Sequence, residues 1–586
     1  MSDQMSEKFN RYQSADAPVP EETWAWNMYG AGVENIGHDG KPEKVPVLEP
    51  EANQLLVRVD AVGMCYSDVK LIKQGGSHPK LYNRDLTQNP TRLGHEATHT
   101  VTKVGEALRD QFHPGQRLAL QPDIYQDGKS TAYGYTIPGG LIQFHLIGPE
   151  VLDADAGSYV IPVEGDVGYA EAALTEPWAC VEAAYTQRRR LTPKSGGTMW
   201  IVGHADDSRA YEFSSGLDAP STIVVTDVPA SLLQRVREEV VGRGGSLVER
   251  NGLTPADYED LNVELADGAG FDDIVVLDPR SAEMVSAAAK LIARRGTFNL
   301  VGREPLDNWV EIDVGRIHYD YTAYVGNPGP DIAASYGEER NRCELRAGGT
   351  AVFVGAGGPM GQMHVQRAIE LAEGPSLLIA TEINPERLAA LREGFVPLAQ
   401  ERGKRLIPFN PGEGEESLYE LVMREAGDRG ADDVVVSVPV APLMASAAEV
   451  MAPDGMLVLF AGVPNGTFAP LDMSVVYLHN AQYTGTSGST LDDQRMVIRK
   501  TVAGELSPNR SVGAIGGMEA AQDSVRAMME GDYPGKIVVF PQITGVPLTG
   551  LSELKETLPE VAEHLGPGDT WTSEAERALI EEYWRP

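Results

Sequence analysis

Beyond residue 196 the apolar residues fall into short unbroken runs: TMWIV at 198–202, TIVVT at 222–226, DIVVLD at 273–278, TAVFVG at 350–355, LLIAT at 377–381 and DVVVSV at 433–438. Between them apolar positions recur every three or four residues, as in ASLLQRV at 230–236 and PERLAAL at 385–391. A run that is apolar throughout predicts a strand buried on both faces. The intervening periodicity predicts helices that cover it, so this half of the chain reads as doubly wound parallel sheet. Upstream, NQLLVRVDAVGMCYSDV, THTVTKVGEAL, GQRLALQPD and GGLIQFHLIG are short, β-rich and punctuated by glycine, which predicts a barrel-like β domain. GKIVVFPQI from Gly535 predicts a strand that returns to that domain, and the stretch from Thr549 predicts two polar, glutamate-rich helices.

The sheet-forming half is a repeat. GGTMWIVGHADDSRAYEF from Gly196 overlays GGTAVFVGAGGPMGQMHV from Gly348, and TIVVTDVPASLLQRV from Thr222 overlays LLIATEINPERLAAL from Leu377. The 32 residues from Phe271 match those from Ala431 without a gap, and VEIDVGRIHYDYTAYVGNPG from Val310 matches APLDMSVVYLHNAQYTGTSG from Ala469, with an aspartate and two glycines in register. Four blocks in one order predict two complete α/β domains in tandem. The boundaries expected are 1–195 for the β domain (completed by 506–586), 196–345 for the first repeat and 346–505 for the second.

Composition narrows the classes of function. A chain of 586 residues needs several cores, and a net charge of −36 argues against nucleic acid or an anionic membrane as partner. Three cysteines, Cys65, Cys180 and Cys343, exclude a disulfide framework. The start MSDQMSEKFNRYQ has no basic region followed by an apolar run, which sets cytoplasmic placement as the expectation.

Two sets of residues carry candidate chemistry. In the β domain GMCYSDVK supplies Cys65, Ser67 and Asp68, GHEATHT supplies His95 and Glu96, and TEPWACVEAAY supplies Glu176 before a proline. Thiolate, imidazole and carboxylate are the ligand types zinc prefers, and three protein ligands with an open fourth position mark a catalytic site. In the second repeat GAGGPMG places glycines at 355, 357, 358 and 361, with Pro359 and Met360 between them, where a strand turns into a helix. Such a turn lets backbone N–H groups and the helix dipole approach a pyrophosphate. Glu382, ending the next strand, stands where a carboxylate meets the adenosine ribose, and Arg387 lies one helical turn on. The matching place in the first repeat reads GHADDSRAY. Asp206 and Asp207 would repel a pyrophosphate there, although the later acid, Asp227, is kept. The first repeat is therefore expected to bind no dinucleotide and to serve as a structural spacer or a dimer surface. Arg188, Arg189 and Arg190 form a basic run that suits a helix end better than a sugar phosphate.

Taken in order, GMCYSD, GHE, EP and GAGGPMG resemble the zinc-dependent medium-chain dehydrogenase/reductase family, in particular its polyol and sugar(-phosphate) dehydrogenase branch. The resemblance implies a GroES-like β domain joined to Rossmann-like domains, with zinc and NAD as cofactors. It implies that Cys65, His95 and Glu176 hold zinc, with Glu96 a neighbouring or water-bridged ligand. Ser67 would relay the hydroxyl proton of a small alcohol substrate and Asp68 would orient His95; the family also implies a homo-oligomer. This chain departs from the family pattern twice, lacking cysteines for a four-cysteine zinc lobe and having two nucleotide-type domains instead of one. The leading expectation is hydride transfer between a secondary alcohol and NAD. An epimerase or lyase that uses NAD transiently and a non-catalytic nucleotide-sensing scaffold are the alternatives.

Overall fold

The computed structural model describes residues 7–186 and 189–586. The chain forms two compact units, one made of Met1–Ala183, Gly358–Met363 and Gly488–Pro586, the other of Ala184–Gly357 and His364–Ser487.

The first unit is built on an eight-stranded sheet. Its central strand, Leu55–Gly63, is buried at every position because it has neighbours on both edges and cover on both faces. It pairs antiparallel with Glu96–Val104, with Phe144–Ile147 and, at its end, with Lys536–Phe540, where Val538 faces Gly63 and Val539 faces Val62. The strand expected from GKIVVFPQI thus returns to the β domain. Helix Leu491–Val502 also belongs to this unit. It packs on helix Thr175–Ala183 and is tied there by Lys500 to Glu182, 2.8 Å, and by Gln494, which donates to Thr175 Oγ1 at 3.2 Å.

The end of the chain differs from the two polar helices expected. After two four-residue helices, Leu554–Thr557 and Pro559–Ala562, helix Ser573–Tyr583 buries Ala575, Leu579 and Ile580. Glu576 is buried with them and accepts the backbone N–H groups of Tyr169 and Ala170, 2.5 and 2.8 Å, at the start of helix Tyr169–Ala173. Isolated glutamate patterning reads as solvent-facing, but a carboxylate that caps another helix is satisfied in the interior. Burial pushes Glu576 and Glu171 up to about 7, in spite of backbone hydrogen bonds that favour the charged form. A carboxyl raised on folding stabilises the native state fully below its unfolded value, and that stability is lost as pH rises through the folded value. The melting temperature is therefore expected to fall between pH 5 and about 8, by an amount on the order of 1–3 kcal/mol in stability. Glu576→Gln should flatten the slope in a melting series across that range; an unchanged slope would remove Glu576 as its source.

The second unit holds two six-stranded parallel sheets of identical order. One runs Ser246–Glu249, Thr222–Thr226, Thr198–Val202, Phe271–Leu277, Ile292–Val301, Ala323–Asn327. The other runs Arg405–Phe409, Leu377–Thr381, Thr350–Val354, Ala431–Val436, Met451–Leu459, Gln482–Gly485. The likeness extends to irregularities, since the register slips after Phe271 in one sheet and after Ala431 in the other. Just past each slip a buried aspartate, raised by burial, is held by an arginine: Asp273 by Arg190, 3.2 Å, and Asp433 by Arg342. Arg190 is thus committed to the fold and Arg189 donates to backbone carbonyls of 336–340, so neither is spare for a phosphate; Arg188 lies outside the described residues. One apolar core runs through both repeats, from Trp200 and Phe298 to Val352 and Tyr477.

The repeats differ at one end. After Thr350–Val354 the chain enters helix Pro359–Glu370, whereas no helix stands between Thr198–Val202 and Thr222–Thr226.

Candidate functional site

The site in the first unit is assembled by the pairing of two strands. Gly63 faces Glu96 across the ladder. A Cβ on Gly63 would lie 2.2 Å from Glu96 Oε2, so only glycine leaves room for this buried carboxylate. Beyond Gly63 the chain turns through Cys65, whose carbonyl accepts the Asp68 N–H at 3.0 Å, and enters helix Asp68–Gln74. Ser67 stands at the N-cap but makes no capping bond with its side chain. Its hydroxyl turns instead to Cys65 Sγ, 3.1 Å, and His95 Nε2, 3.3 Å.

His95 precedes the strand that Glu96 begins, and its Nδ1 lies 3.1 Å from Asp68 Oδ1. Asp68 therefore fixes the ring so that Nε2 points to Cys65. Burial alone would lower the His95 pKa; Asp68 and Cys65 outweigh it and hold the imidazole well above its usual value. The ligand atoms of Cys65, His95 and Glu96 all lie within 4.8 Å of one another. Glu96 Oε1 accepts from Lys536 Nζ at 2.5 Å, and Oε2 has no partner among the described residues. Burial would depress Lys536, yet Glu96 and Cys65 hold it above the ordinary lysine value.

Glu176 comes from helix Thr175–Ala183 and does not join that ligand set. It is buried beside it, pushed up to about 7 by burial, an effect that His95 and Lys536 oppose and Glu96 reinforces. Cys180 sits one helical turn on, with Sγ 4.0 Å from Glu176 Oε1. Tyr135 stacks obliquely over His95 with ring centroids 5.9 Å apart.

Two contributors were not picked out from sequence. Cys180 had a signal, the i,i+4 spacing from Glu176. Lys536 had none, because it lies 440 residues from its partner. Replacing Lys536 with methionine should cost roughly 3–5 kcal/mol in chemical denaturation, since it strands a buried carboxylate. Glu96→Gln combined with Lys536→Met should recover much of the loss.

A thiol, an imidazole anchored at its far nitrogen and a buried carboxylate oxygen without a partner are a donor set that fits zinc.

The glycine-rich turn follows strand Thr350–Val354 of the second repeat. Gly355 has φ of +76°, the left-handed conformation that glycine tolerates, and the Ala356 N–H bonds to Thr381 O at 2.8 Å. Glu382 follows strand Leu377–Thr381 and is buried. Its Oε1 accepts the N–H groups of Ile383 and Asn384, 2.8 and 2.9 Å. A Cβ on Gly357 would lie 2.2 Å from its other oxygen, so Gly357 and Glu382 share one small space, whereas a Cβ on Gly358 would meet nothing within 4 Å. Helix Pro359–Glu370, which contains Met360 and Gly361, starts next. Arg387 lies in the first turn of helix Pro385–Glu401.

The first repeat fills the equivalent place with its own side chains. Asp206 accepts both 3.0 and 3.1 Å hydrogen bonds from Arg280, Asp207 accepts from Arg209 N and Tyr211 OH, and both oxygens of Asp227 accept from Gly252 N.

A β domain that gathers thiol, imidazole and carboxylate, together with doubly wound parallel sheets and a glycine turn, defines the fold class: a GroES-like domain with Rossmann-like domains. Residues 51–182 match the family model described as the alcohol dehydrogenase GroES-like domain. Over that stretch the chain carries an alcohol dehydrogenase GroES-like domain, and its likeness is to medium-chain dehydrogenases/reductases. An uncharacterized protein, YggP, of Escherichia coli strain K12 is 23% identical over 91% of this chain and 92% of its own length. The L-sorbose 1-phosphate reductase of Klebsiella pneumoniae is 27% identical over 52% of this chain and 75% of its own, and the sorbitol dehydrogenase of Gallus gallus is 27% identical over 34% and 56%. Among the described residues no helix is long and apolar enough to cross a membrane.

Proposed function

We propose that the protein transfers a hydride between the carbinol carbon of a secondary alcohol (a polyol, sugar or sugar phosphate) and NAD, with zinc held by Cys65, His95 and Glu176 and with Glu96 as a neighbouring or bridged ligand. The observation that carries the reading is the convergence of Cys65 Sγ, His95 Nε2, Ser67 Oγ and a Glu96 oxygen in one buried place. When bound, zinc lowers the pKa of a coordinated hydroxyl and the nicotinamide takes up hydride. The residues do the rest. Ser67 accepts the hydroxyl proton and passes it outward. Asp68 keeps His95 in the tautomer that presents Nε2, and Lys536 keeps Glu96 charged and in place. In the second repeat the turn from Gly355 to Gly361 receives the pyrophosphate at the N-terminus of helix Pro359–Glu370. Glu382 accepts from the ribose hydroxyls and repels a 2′-phosphate, which favours NAD over NADP. The names of the sugar-phosphate and sorbitol relatives support the choice of substrate class.

The test is a panel of polyols, sugar alcohols and their phosphates with NAD and with NADP, read by absorbance of the reduced cofactor, alongside elemental analysis. Turnover with bound zinc is expected. Substrate conversion without net reduced cofactor would replace the reading with an epimerase or lyase, and absence of both metal and turnover with a scaffold. Ser67→Ala should lower kcat by about 10²-fold or more while leaving NAD affinity unchanged; a variant with full kcat would remove Ser67 from the proton path.

A further inference from the structure

The two repeats meet through a contact that has the form of a homodimer interface. Strand Val310–Asp313 of the first repeat pairs antiparallel with strand Phe468–Leu471 of the second. In the sequence match the two segments differ by a constant 159 residues, Val310 corresponding to Ala469. Val310 faces Leu471, the counterpart of Ile312, while Ile312 faces Ala469, the counterpart of Val310. Glu311 faces Pro470, its own counterpart. The axis of a local two-fold passes through that pair.

The same reciprocity recurs away from the strands. Gly326 is seated under Tyr477, where a Cβ would lie 2.6 Å from Tyr477 Cβ. Gly485 is seated under His318, where a Cβ would lie 3.1 Å from His318 Cα. Gly326 corresponds to Gly485 and His318 to Tyr477, so each repeat puts the same glycine beneath the same helix position of the other. This explains one of the shared glycines that stood out in the sequence. Helix Val314–Tyr319 packs on strand Gln482–Gly485, and helix Ser474–His479 packs on strand Ala323–Asn327. Val310, Ile312, Ala469 and Leu471 are all buried in the common core.

A contact in which residue i meets the counterpart of j, and j meets the counterpart of i, is isologous. It is the contact that two identical copies make about a two-fold axis. The first repeat has kept the half of its fold that makes this contact. It has lost the other end, where the glycine turn is replaced by the Asp206–Arg280 pair and the following helix is missing. We infer that the first repeat is a built-in dimerisation partner: it covers, within one chain, the face by which the second repeat would otherwise pair with a second copy of itself. The single chain is then complete on that face, and any larger assembly must use another surface.

Cysteines at the axis test this independently of catalysis. Glu311 and Pro470 are exposed and opposite each other, so Glu311→Cys and Pro470→Cys can be introduced singly and together, with the parent chain as control for Cys65, Cys180 and Cys343. Under mild oxidation the double variant should form the 311–470 disulfide within one chain, seen by peptide mapping at single-chain mass on a non-reducing gel. A mixture of the two single variants should give no two-chain product beyond the parent's. A two-chain 311–470 disulfide from the mixture would overturn the inference, because the face would then accept a second copy. So would a double variant that melts normally but does not cross-link. A dimer seen by light scattering without the inter-chain cross-link would lie on another face and support it.

Discussion

Gly357→Val is expected to abolish measurable NAD binding, a loss of at least about 100-fold in affinity, or roughly 2.7 kcal/mol. The turn that begins at Gly355 brings backbone close to the position where the pyrophosphate should lie, and a side chain at 357 has no room to stand aside. Its Cβ would meet the buried carboxylate of Glu382 at 2.2 Å. That contact means the variant also disturbs the residue proposed to hold the ribose, so a second substitution separates the two effects. A Cβ at Gly358 meets nothing within 4 Å, so Gly358→Val should leave the melting temperature nearly unchanged while still obstructing the pyrophosphate. Ala205→Val, at the matching turn of the first repeat, is exposed and should leave affinity unaltered. Calorimetry decides among these. Two NAD molecules per chain would give the first repeat a site of its own, and loss of binding in Ala205→Val alone would move the cofactor there.

Cys65→Ser is expected to lose bound zinc and to lower turnover on the order of 10³-fold, since a metal that polarises the reacting oxygen supplies several kcal/mol to the transition state. The fold should survive. Cys65 is half-buried at a turn, and the strand pairing from Gly63 to Glu96 and the Lys536–Glu96 pair do not depend on its sulfur. Elemental analysis and thermal melting on the same preparation check both halves. Native protein that holds no transition metal and gains no activity from added zinc would sink the assignment.

Much of this was legible in the chain because it rests on local rules. Unbroken apolar runs such as TAVFV are buried parallel strands wherever they occur. The duplication was readable from four blocks in order, and the difference between the two turns from the loss of glycine in GHADDSRAY. Of the expected ligands Cys65, His95 and Glu176, the first two converge with Glu96, while Glu176 is buried beside them. The end of the chain was misread for a physical reason. Glu576 looks solvated in sequence, and only a helix start at Tyr169, some four hundred residues away, satisfies its carboxylate.

The sequence by itself determined the β domain and the paired α/β repeats, since each depends on the period of apolar residues, and it singled out the candidate ligands by residue type. Tertiary structure alone decided three things. It placed Lys536 on Glu96, it set Glu176 beside the ligand cluster and Cys180 next to it, and it turned two repeats into a pair related by a local two-fold. Each of these rests on contacts between residues far apart in the chain, which periodicity cannot register. A buried charge needs a partner from wherever the fold can supply one, and a symmetric interface exists only once both copies of the surface are folded.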